Sequence, residues 1–402
     1  MGTGDPPFRA IADDLRRRLR GAEWGPGARL PNRRVLSREY GVAVNTVGRA
    51  IALLAEEGLI TTTARHGTFV ATPGPAAGAH AGIAARGAVA RAGPAPIVGI
   101  ANMVVPGEAP TGWGPTVQRA SEMALSALGA STRFFRIEGR GNALARTLSR
   151  AVASGVDAIL VVYLQDCTAW VEAAAETFLT SGRPLMLVGT TPLRQAVPHT
   201  YVDERAGGFM AAEDLLAAGY ERLCLLTPFA PPGWLRRRLE GARLAVGRAV
   251  RRGATLTVLP ERPALDWHEW SERQSGPARG RIVDRLVSEA LETMDLGSRT
   301  AGSCAFIVPN DRVAELVASA LRRRGLKLGR DVGLVGFDDI PEAAELGVTS
   351  VRPPLVEMAG IAAQSLVDAS RGAPLPTQVC VPPRLIRRDS TLRTPAASAF
   401  AG

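Results

Sequence analysis

A chain of 402 residues, 46% hydrophobic and 21% charged, has room for two or three domains with ample core and the balance of a soluble globular protein. Its net charge is +10, and residues 1–70 alone hold 11 arginines against 7 acids. The positive density is thus concentrated at the N-terminal end, as a phosphate-binding module requires, although a generally arginine-rich proteome would also raise the total. No apolar run approaches the roughly 18 residues that cross a bilayer. Asp13, Asp14 and neighbouring arginines interrupt any export-signal segment, which predicts a cytoplasmic protein with no membrane contact. Lys327 is the only lysine, which nearly excludes Schiff-base chemistry. Cys167, Cys224, Cys304 and Cys380 are widely spaced without a CxxC pair, which speaks against a metal site; Cys224 and Cys304 lie within apolar runs and read as small buried hydrophobes, and no cofactor is expected.

In chain order, Phe8–Leu19 reads as a leading helix and Arg34–Tyr40 (RVLSREY) as a short amphipathic one. Gly41 permits a tight turn into the stretch Gly41–Leu59. There Val42, Val47, Ile51 and Leu54 fall near one face of a 3.6-residue period, leaving Asn45, Thr46 and Arg49 on the other. Leu59–Val70 gives two β-rich runs joined by a turn at His66-Gly67. A helix-turn-helix followed by a hairpin wing is a device for reading DNA.

Residues 71–96 include 20 Ala, Gly or Pro in 26, a composition that predicts a flexible linker between a 1–70 domain and a 97–392 domain, with a tail at 393–402. From Ile97 strand-like and helical runs alternate. They are strand Ile97–Val105, helix Pro115–Leu128, strand Thr132–Ile137, helix Asn142–Ser154, strand Asp157–Tyr163, helix Thr168–Ser181 and strand Leu185–Gly189. A second series follows: strand Arg222–Thr227, helix Trp234–Arg251, strand Thr255–Leu259, helix Arg281–Met294, strand Ser303–Val308, helix Arg312–Arg324 and strand Val332–Phe337. This rhythm demands α/β architecture with parallel sheets, and two series predict two lobes with a cleft between them. Residues 260–280 are polar, contain tryptophan and lack a period, so they read as a surface insertion.

The segments GARLPNRRVLSREYGV, NTV, LLAEEGLI and HGTFV resemble the winged helix-turn-helix of GntR-type regulators over residues 6–71. Ala43, Val44 and Gly48 stand where that family usually carries hydroxyl and arginine side chains, and Arg49 is displaced by one, so the resemblance implies no operator sequence. VDERAGGFMAAEDLLAAGYERLCLL, RLEG, VPNDRVAELVASALRRRGLKLGRDVGLVGFDDIPEAAELGVTSVRPPLVEMAGIAA and VPPRLIRRDST resemble the effector domain of LacI-type regulators, itself similar to periplasmic sugar-binding proteins. That resemblance spans roughly residues 97–392 and implies three chain crossings between lobes with a ligand bound between them. A GntR-like head on a LacI-like body resembles the arabinose-type repressors.

Candidate DNA contacts are Arg34, Asn45, Thr46, Arg49, His66 and Gly67. Arg34 matches a phosphate or base contact of the family, or is a solvated helix-face arginine. Asn45 and Thr46 suit phosphates or a base edge, or cap the helix. Arg49 suits a phosphate, and His66-Gly67 is a wing tip or simply a turn. In the body the resemblance implies that Asp311, in PND, accepts two ligand hydroxyls and that Arg238, in RLEG, forks onto the ligand, with Arg236 and Arg237 close enough to shift that assignment. Trp113 occupies a loop where the family packs an aromatic on a sugar or base, and could equally be a surface or dimer contact. Asp338-Asp339 reads as a structural turn.

The expected function is a ligand-responsive transcriptional regulator, most simply a repressor: a homodimer on palindromic double-stranded DNA, answering a sugar or nucleoside-like molecule. The alternative is a GntR-headed enzyme of small-molecule metabolism. Against it, aminotransferase fusions need a cofactor lysine, and the chain has no GxxxxGK, no GxSxG and no GxGxxG after a strand.

Overall fold

The computed structural model describes residues 7–20, 30–31, 33–56, 60–63, 67–70, 95–103, 112–138, 142–162, 168–193, 197–250, 253–267, 269–273, 276–294 and 304–393. The chain divides into two compact units, Met1–Gly93 and Pro94–Gly402. The expected linker at 71–96 and tail at 393–402 lie outside the described residues, apart from residues 95–96 and 393.

The first unit contains helices α1 (Pro7–Arg20), α2 (Arg33–Tyr40) and α3 (Val44–Glu56) and an antiparallel hairpin of β1 (Ile60–Thr63) and β2 (Gly67–Val70). The helical period works as the pattern demands: Val47, Ile51 and Leu54 of α3 are fully buried against Ile11 and Leu15 of α1, Leu36 of α2 and Ile60 of β1. Gly41 turns the chain between α2 and α3 at φ 64°, a left-handed conformation that a side chain would strain. Tyr40 ties α2 back to α1, donating to Asp14 Oδ2 at 2.7 Å and accepting from Arg18 Nη1 at 2.9 Å. Burial and the Asp14 bond push its phenol up to about 12, so it remains a donor.

The second unit has two lobes, each built on a six-stranded sheet. In the first lobe β3 (Ile97–Met103), β4 (Ser131–Ile137), β5 (Ala158–Val162), β6 (Leu185–Gly189), β7 (His199–Val202) and β13 (Gln378–Val381) run parallel in the order β13-β7-β6-β5-β3-β4. Helices α5 (Ala143–Ala153) and α6 (Thr168–Leu179) cover one face; α4 (Trp113–Ala127) and α12 (Leu355–Ser370) cover the other. β5 and β6 are buried at every position, as central strands sandwiched between helices must be.

The second lobe comprises β8 (Arg222–Leu226), β9 (Thr255–Leu259), β10 (Cys304–Ile307), β11 (Gly333–Phe337), β12 (Thr349–Arg352) and β14 (Arg384–Ile386), in the order β14-β12-β11-β10-β8-β9. Only β14 is antiparallel to its neighbour. Its helices are α7 (Glu204–Ala217), α8 (Gly233–Ala249), α9 (Gly276–Thr293), α10 (Asp311–Arg323) and the short α11 (Pro341–Glu345). Helices α7 and α8 meet through two glycines: a Cβ on Gly208 would lie 1.8 Å from the Arg238 carbonyl oxygen, and one on Gly241 would lie 1.9 Å from that of Arg205. Only residues without side chains allow the backbones so close.

The chain crosses between lobes three times, after β7, after β12 and after β13, in connections of one or two residues. Each crossing leaves a carboxyl end of a strand. Short connections therefore bring these strand ends to the seam between the lobes, where open parallel sheets present ligand-binding groups. Asp203 fixes the first crossing: its N–H donates to Val381 O at 2.9 Å and its Oδ1 caps α7 by accepting from Ala206 N at 2.9 Å.

The segment 260–280 is more than a surface insertion. Ala230 N donates to Leu265 O at 2.8 Å, Trp270 is only 4% exposed, and Trp267 packs on the same core. A few anchoring aromatics hold this stretch down, and irregularly spaced anchors leave no period in the sequence.

Candidate functional site

In the first unit α3 turns Thr46, half-buried, and Arg49, exposed, away from the core. Arg34 lies in the first turn of α2, Asn45 in that of α3, and Gly67 opens β2. His66 lies outside the described residues. Ala43 and Val44 are exposed, Val44 to 42%, so apolar surface flanks the leading turn of α3. Their positions were legible in the sequence as departures from the family pattern; their exposure needed the fold.

In the second unit the charged groups converge on strand ends of the second lobe. Asn310 caps α10 by accepting from Val313 N at 3.0 Å, which sets Asp311 as the first helical residue just beyond β10. Asp311 is 1% exposed. Ser350 Oγ, on β12, donates to it at 2.9 Å and Ile340 N at 3.1 Å. Gly336 makes room for this carboxyl, since a Cβ there would lie 2.0 Å from Asp311 Oδ1. Burial first, and the nearby Asp338 charge second, push Asp311 up to about 8, against the hydrogen bonds from Ser350 and Ile340.

Asp338 and Asp339 follow β11 with φ of 98° and 55°, both in the left-handed region that L side chains rarely adopt. Their roles differ. Asp339 is locked between Arg352 Nη2 and Arg388 Nη2, each at 2.5 Å. Asp338 is the more exposed of the two and carries no such arginine pair. Desolvation raises its carboxyl above the ordinary range, with Arg238 pulling the other way.

The structure separates the three adjacent arginines of α8. Arg236 is exposed and donates to Pro231 O at 2.7 Å. Arg237 is half-buried, with its Nε unpartnered. Arg238 is 6% exposed and forks onto Glu204 of α7, Nε to Oε2 at 2.5 Å and Nη2 to Oε1 at 2.9 Å, while Nη1 donates to Pro309 O at 2.6 Å. The rings of Trp234 and Phe337 lie 4.7 Å and 4.0 Å from its guanidinium carbon. Burial pushes the Glu204 carboxyl above its ordinary range, with Arg238 opposing. The pair thus brings Arg238 to the end of β10, two residues from Asp311.

An aromatic cluster adjoins this pair: Phe229, Trp234, Trp267 and Trp270, with ring centroids 4.8 Å apart for Phe229–Trp267 and 5.6 Å for Trp234–Trp267. Sequence reasoning missed it, and only the density of tryptophan in residues 234–270 hinted at it. In the first lobe Trp113 is half-buried at the start of α4 and packs on the α4–α12 core. Most of the loop before it lies outside the described residues. Asn102, near the end of β3 and 3% exposed, donates to Gln118 Oε1 at 3.0 Å and leaves its Oδ1 buried without a partner. Among the described residues no group of three His, Cys, Asp or Glu could hold a metal ion, and no helix is long and apolar enough to cross a membrane.

Polar and charged groups thus gather at the strand ends of the second lobe, and comparison with known proteins adds the following. Residues 7–70 match the family of bacterial regulatory proteins of the gntR type, and residues 212–391 match a periplasmic binding protein-like domain. The chain is 27% identical over 232 residues to the HTH-type transcriptional regulator MalR of Streptomyces coelicolor, covering 55% of this chain and 59% of MalR. It is 25% identical over 213 residues to the arabinose metabolism transcriptional repressor of Geobacillus stearothermophilus, covering 52% and 53%. The match to the lactose operon repressor of Escherichia coli is 23% over 304 residues, 74% of each chain. The aligned part thus spans only 59% and 53% of the length of the first two of these curated relatives. Among solved structures, a dimeric Lac repressor with a C-terminal deletion aligns at a TM-score of 0.57 with 18% identity, over 74% of this chain and all (100%) of that one. A LacI family transcriptional regulator from Enterococcus faecium with bound ribose aligns at 0.55 with 20% identity, over 74% and 99%. At such identity these structures speak for the fold, a two-lobed α/β body. Residues 7–70 are thus similar to the bacterial gntR regulatory family and residues 212–391 to periplasmic binding protein-like domains, in one chain.

Proposed function

We propose that this chain is a DNA-binding transcriptional regulator, acting as a repressor, whose operator affinity is set by a small sugar- or nucleoside-like molecule held at the seam between the two lobes. The observation that carries the reading is the union in one chain of a helix-turn-helix domain and a body whose three crossings gather strand ends and polar groups at one seam. The relatives named above are regulators, which favours this reading over an enzyme. Arg49 and Thr46 supply contacts for phosphate or base edges, and exposed Val44 supplies apolar surface of the kind that meets thymine methyl groups. Arg34, Asn45, His66 and Gly67 complete the proposed DNA surface, and Asp311 and Trp113 belong to the effector site. One recognition helix and one wing cover only a half-site, so the working form is a homodimer on a two-fold operator, acting in the cytoplasm.

Selection of binding sequences from a random duplex pool by the full chain tests this reading. The expected outcome is two inverted half-sites spaced by about 10–10.5 base pairs or a multiple. Affinity should fall about 10³–10⁵-fold between 50 and 200 mM salt if six to ten phosphates are neutralised. Failure to enrich any sequence would overturn it.

A further inference from the structure

The buried contact between Arg238 and Glu204 constrains what the seam can bind. We propose that Glu204 permanently occupies the fork of Arg238, so that the seam selects a ligand without a carboxylate or phosphate at this wall: a neutral polyhydroxylated molecule rather than a sugar acid or sugar phosphate. This inference rests on the reading that an effector binds between the lobes. It departs from the role that the RLEG resemblance implies for the arginine.

The geometry leaves the guanidinium little to offer. Three of its five N–H groups are engaged, Nε and Nη2 by the two Glu204 oxygens, which fill its side-on fork, and Nη1 by the Pro309 carbonyl. Both faces are taken as well, by Trp234 and Phe337. The guanidinium and the carboxylate are 8% and 2% exposed at the side chain. A ligand anion reaching Arg238 would have to displace Glu204 and leave that carboxylate buried without a partner, the costly outcome for a buried ion pair. Helix α7, which carries Glu204, is held backbone to backbone against α8 at Gly208 and Gly241. Ser350 Oγ and the Asp311 carboxyl, buried and hydrogen-bonded to each other beside this wall, add no cation that an anionic ligand could use.

Chemical rescue tests the occupancy of the fork. In Glu204→Ala the carboxylate is gone and a space of about its size opens beside the guanidinium. The thermal midpoint of the full chain should fall by roughly 5–15 °C. Acetate should restore part of that loss while leaving the unmodified protein unchanged. No rescue by acetate would mean that the guanidinium does not take an exogenous anion, and would overturn the proposal. So would stabilisation of the unmodified protein by acetate, galacturonate or glucose 6-phosphate that Arg238→Met abolishes. Should Glu204→Ala not fold, Glu204→Gln and the unmodified protein decide. The isosteric amide should lower the midpoint without acetate rescue, and the unmodified protein should ignore all three anions. Rescue with a DNA affinity indifferent to every small molecule would keep the closed fork and sink the regulatory reading. A sugar acid that alters DNA binding through Arg238 would keep the regulatory reading and sink the closed fork.

Discussion

The two lobes of the body share a sheet layout but not a chemistry. Each has six strands with its crossing strands toward one side, and each covers its sheet with helices. The buried polar side chains of the first lobe are Asn102, Ser121, Thr147, His199 and Thr200 among the described residues, none of them a carboxylate or a guanidinium. The second lobe buries Glu204, Asp214, Arg238 and Asp311. One topology therefore leaves wide freedom at its strand ends. Here the second lobe carries the buried charge, while the first buries only neutral polar groups such as Asn102. Buried charges must be paired or protonated. Paired ions such as Glu204 and Arg238 stiffen that lobe, while the unpaired Asp311 makes it sensitive to pH.

The comparison breaks or sharpens under mutation. Arg238→Ala should have the largest effect, about 3–5 kcal/mol of destabilisation, because Glu204 is left buried and unpaired; denaturant unfolding measures it. Gly208→Ala comes next, at about 1–3 kcal/mol or beyond, since its Cβ would meet backbone rather than a movable side chain. Gly247→Ala on the same α8, where nothing lies within 4 Å of the added carbon, should instead stabilise by about 0.5–1 kcal/mol. In the first lobe Asn102→Ala should cost only about 0.5–1.5 kcal/mol, the net worth of the bond to Gln118. A loss matching that of Arg238→Ala would erase the contrast between the lobes.

Asp311 gives the most specific change, because it depends on pH. Its folded pKa of about 8 lies above the unfolded value, so its favourable contribution is fully present below the unfolded pKa and is lost as pH rises toward 8. Asp311→Asn mimics the protonated form. Its thermal midpoint should match the unmodified protein near pH 4 and exceed it increasingly up to pH 8. A constant difference across that range would show that Asp311 is ionised in the folded protein.

Local pattern made much of this legible in advance, and contacts distant in sequence did not. Val47, Ile51 and Leu54 show their buried face through spacing alone, and Gly41 shows its turn through residue type. The first strand ends at Met103, with the predicted remainder, residues 104–105, outside the described residues. The rhythm of strands and helices after Ile97 identified the parallel sheets, because a buried strand between covering helices needs a continuous apolar run. The fork of Arg238 onto Glu204 left no trace, since 34 residues separate the partners and nothing local marks a carboxylate as spoken for. The packing of Trp267 and Trp270 was invisible for a similar reason: their anchor is Phe229, on the neighbouring strand's exit. Asp338 read as a turn residue and is one, by its φ of 98°.

The central claim is that a ligand at the seam controls DNA binding, and the direct measurement is fluorescence anisotropy of the full chain on the selected duplex at fixed salt. Titration with a panel of neutral sugars and nucleosides should reveal at least one that shifts the dissociation constant by about 5–150-fold, the usual range of coupling between two sites. The same shift should vanish in Asp311→Ala while that variant still binds the duplex. Tight duplex binding that every member of the panel leaves unchanged, or a shift that persists undiminished in Asp311→Ala, would contradict the account.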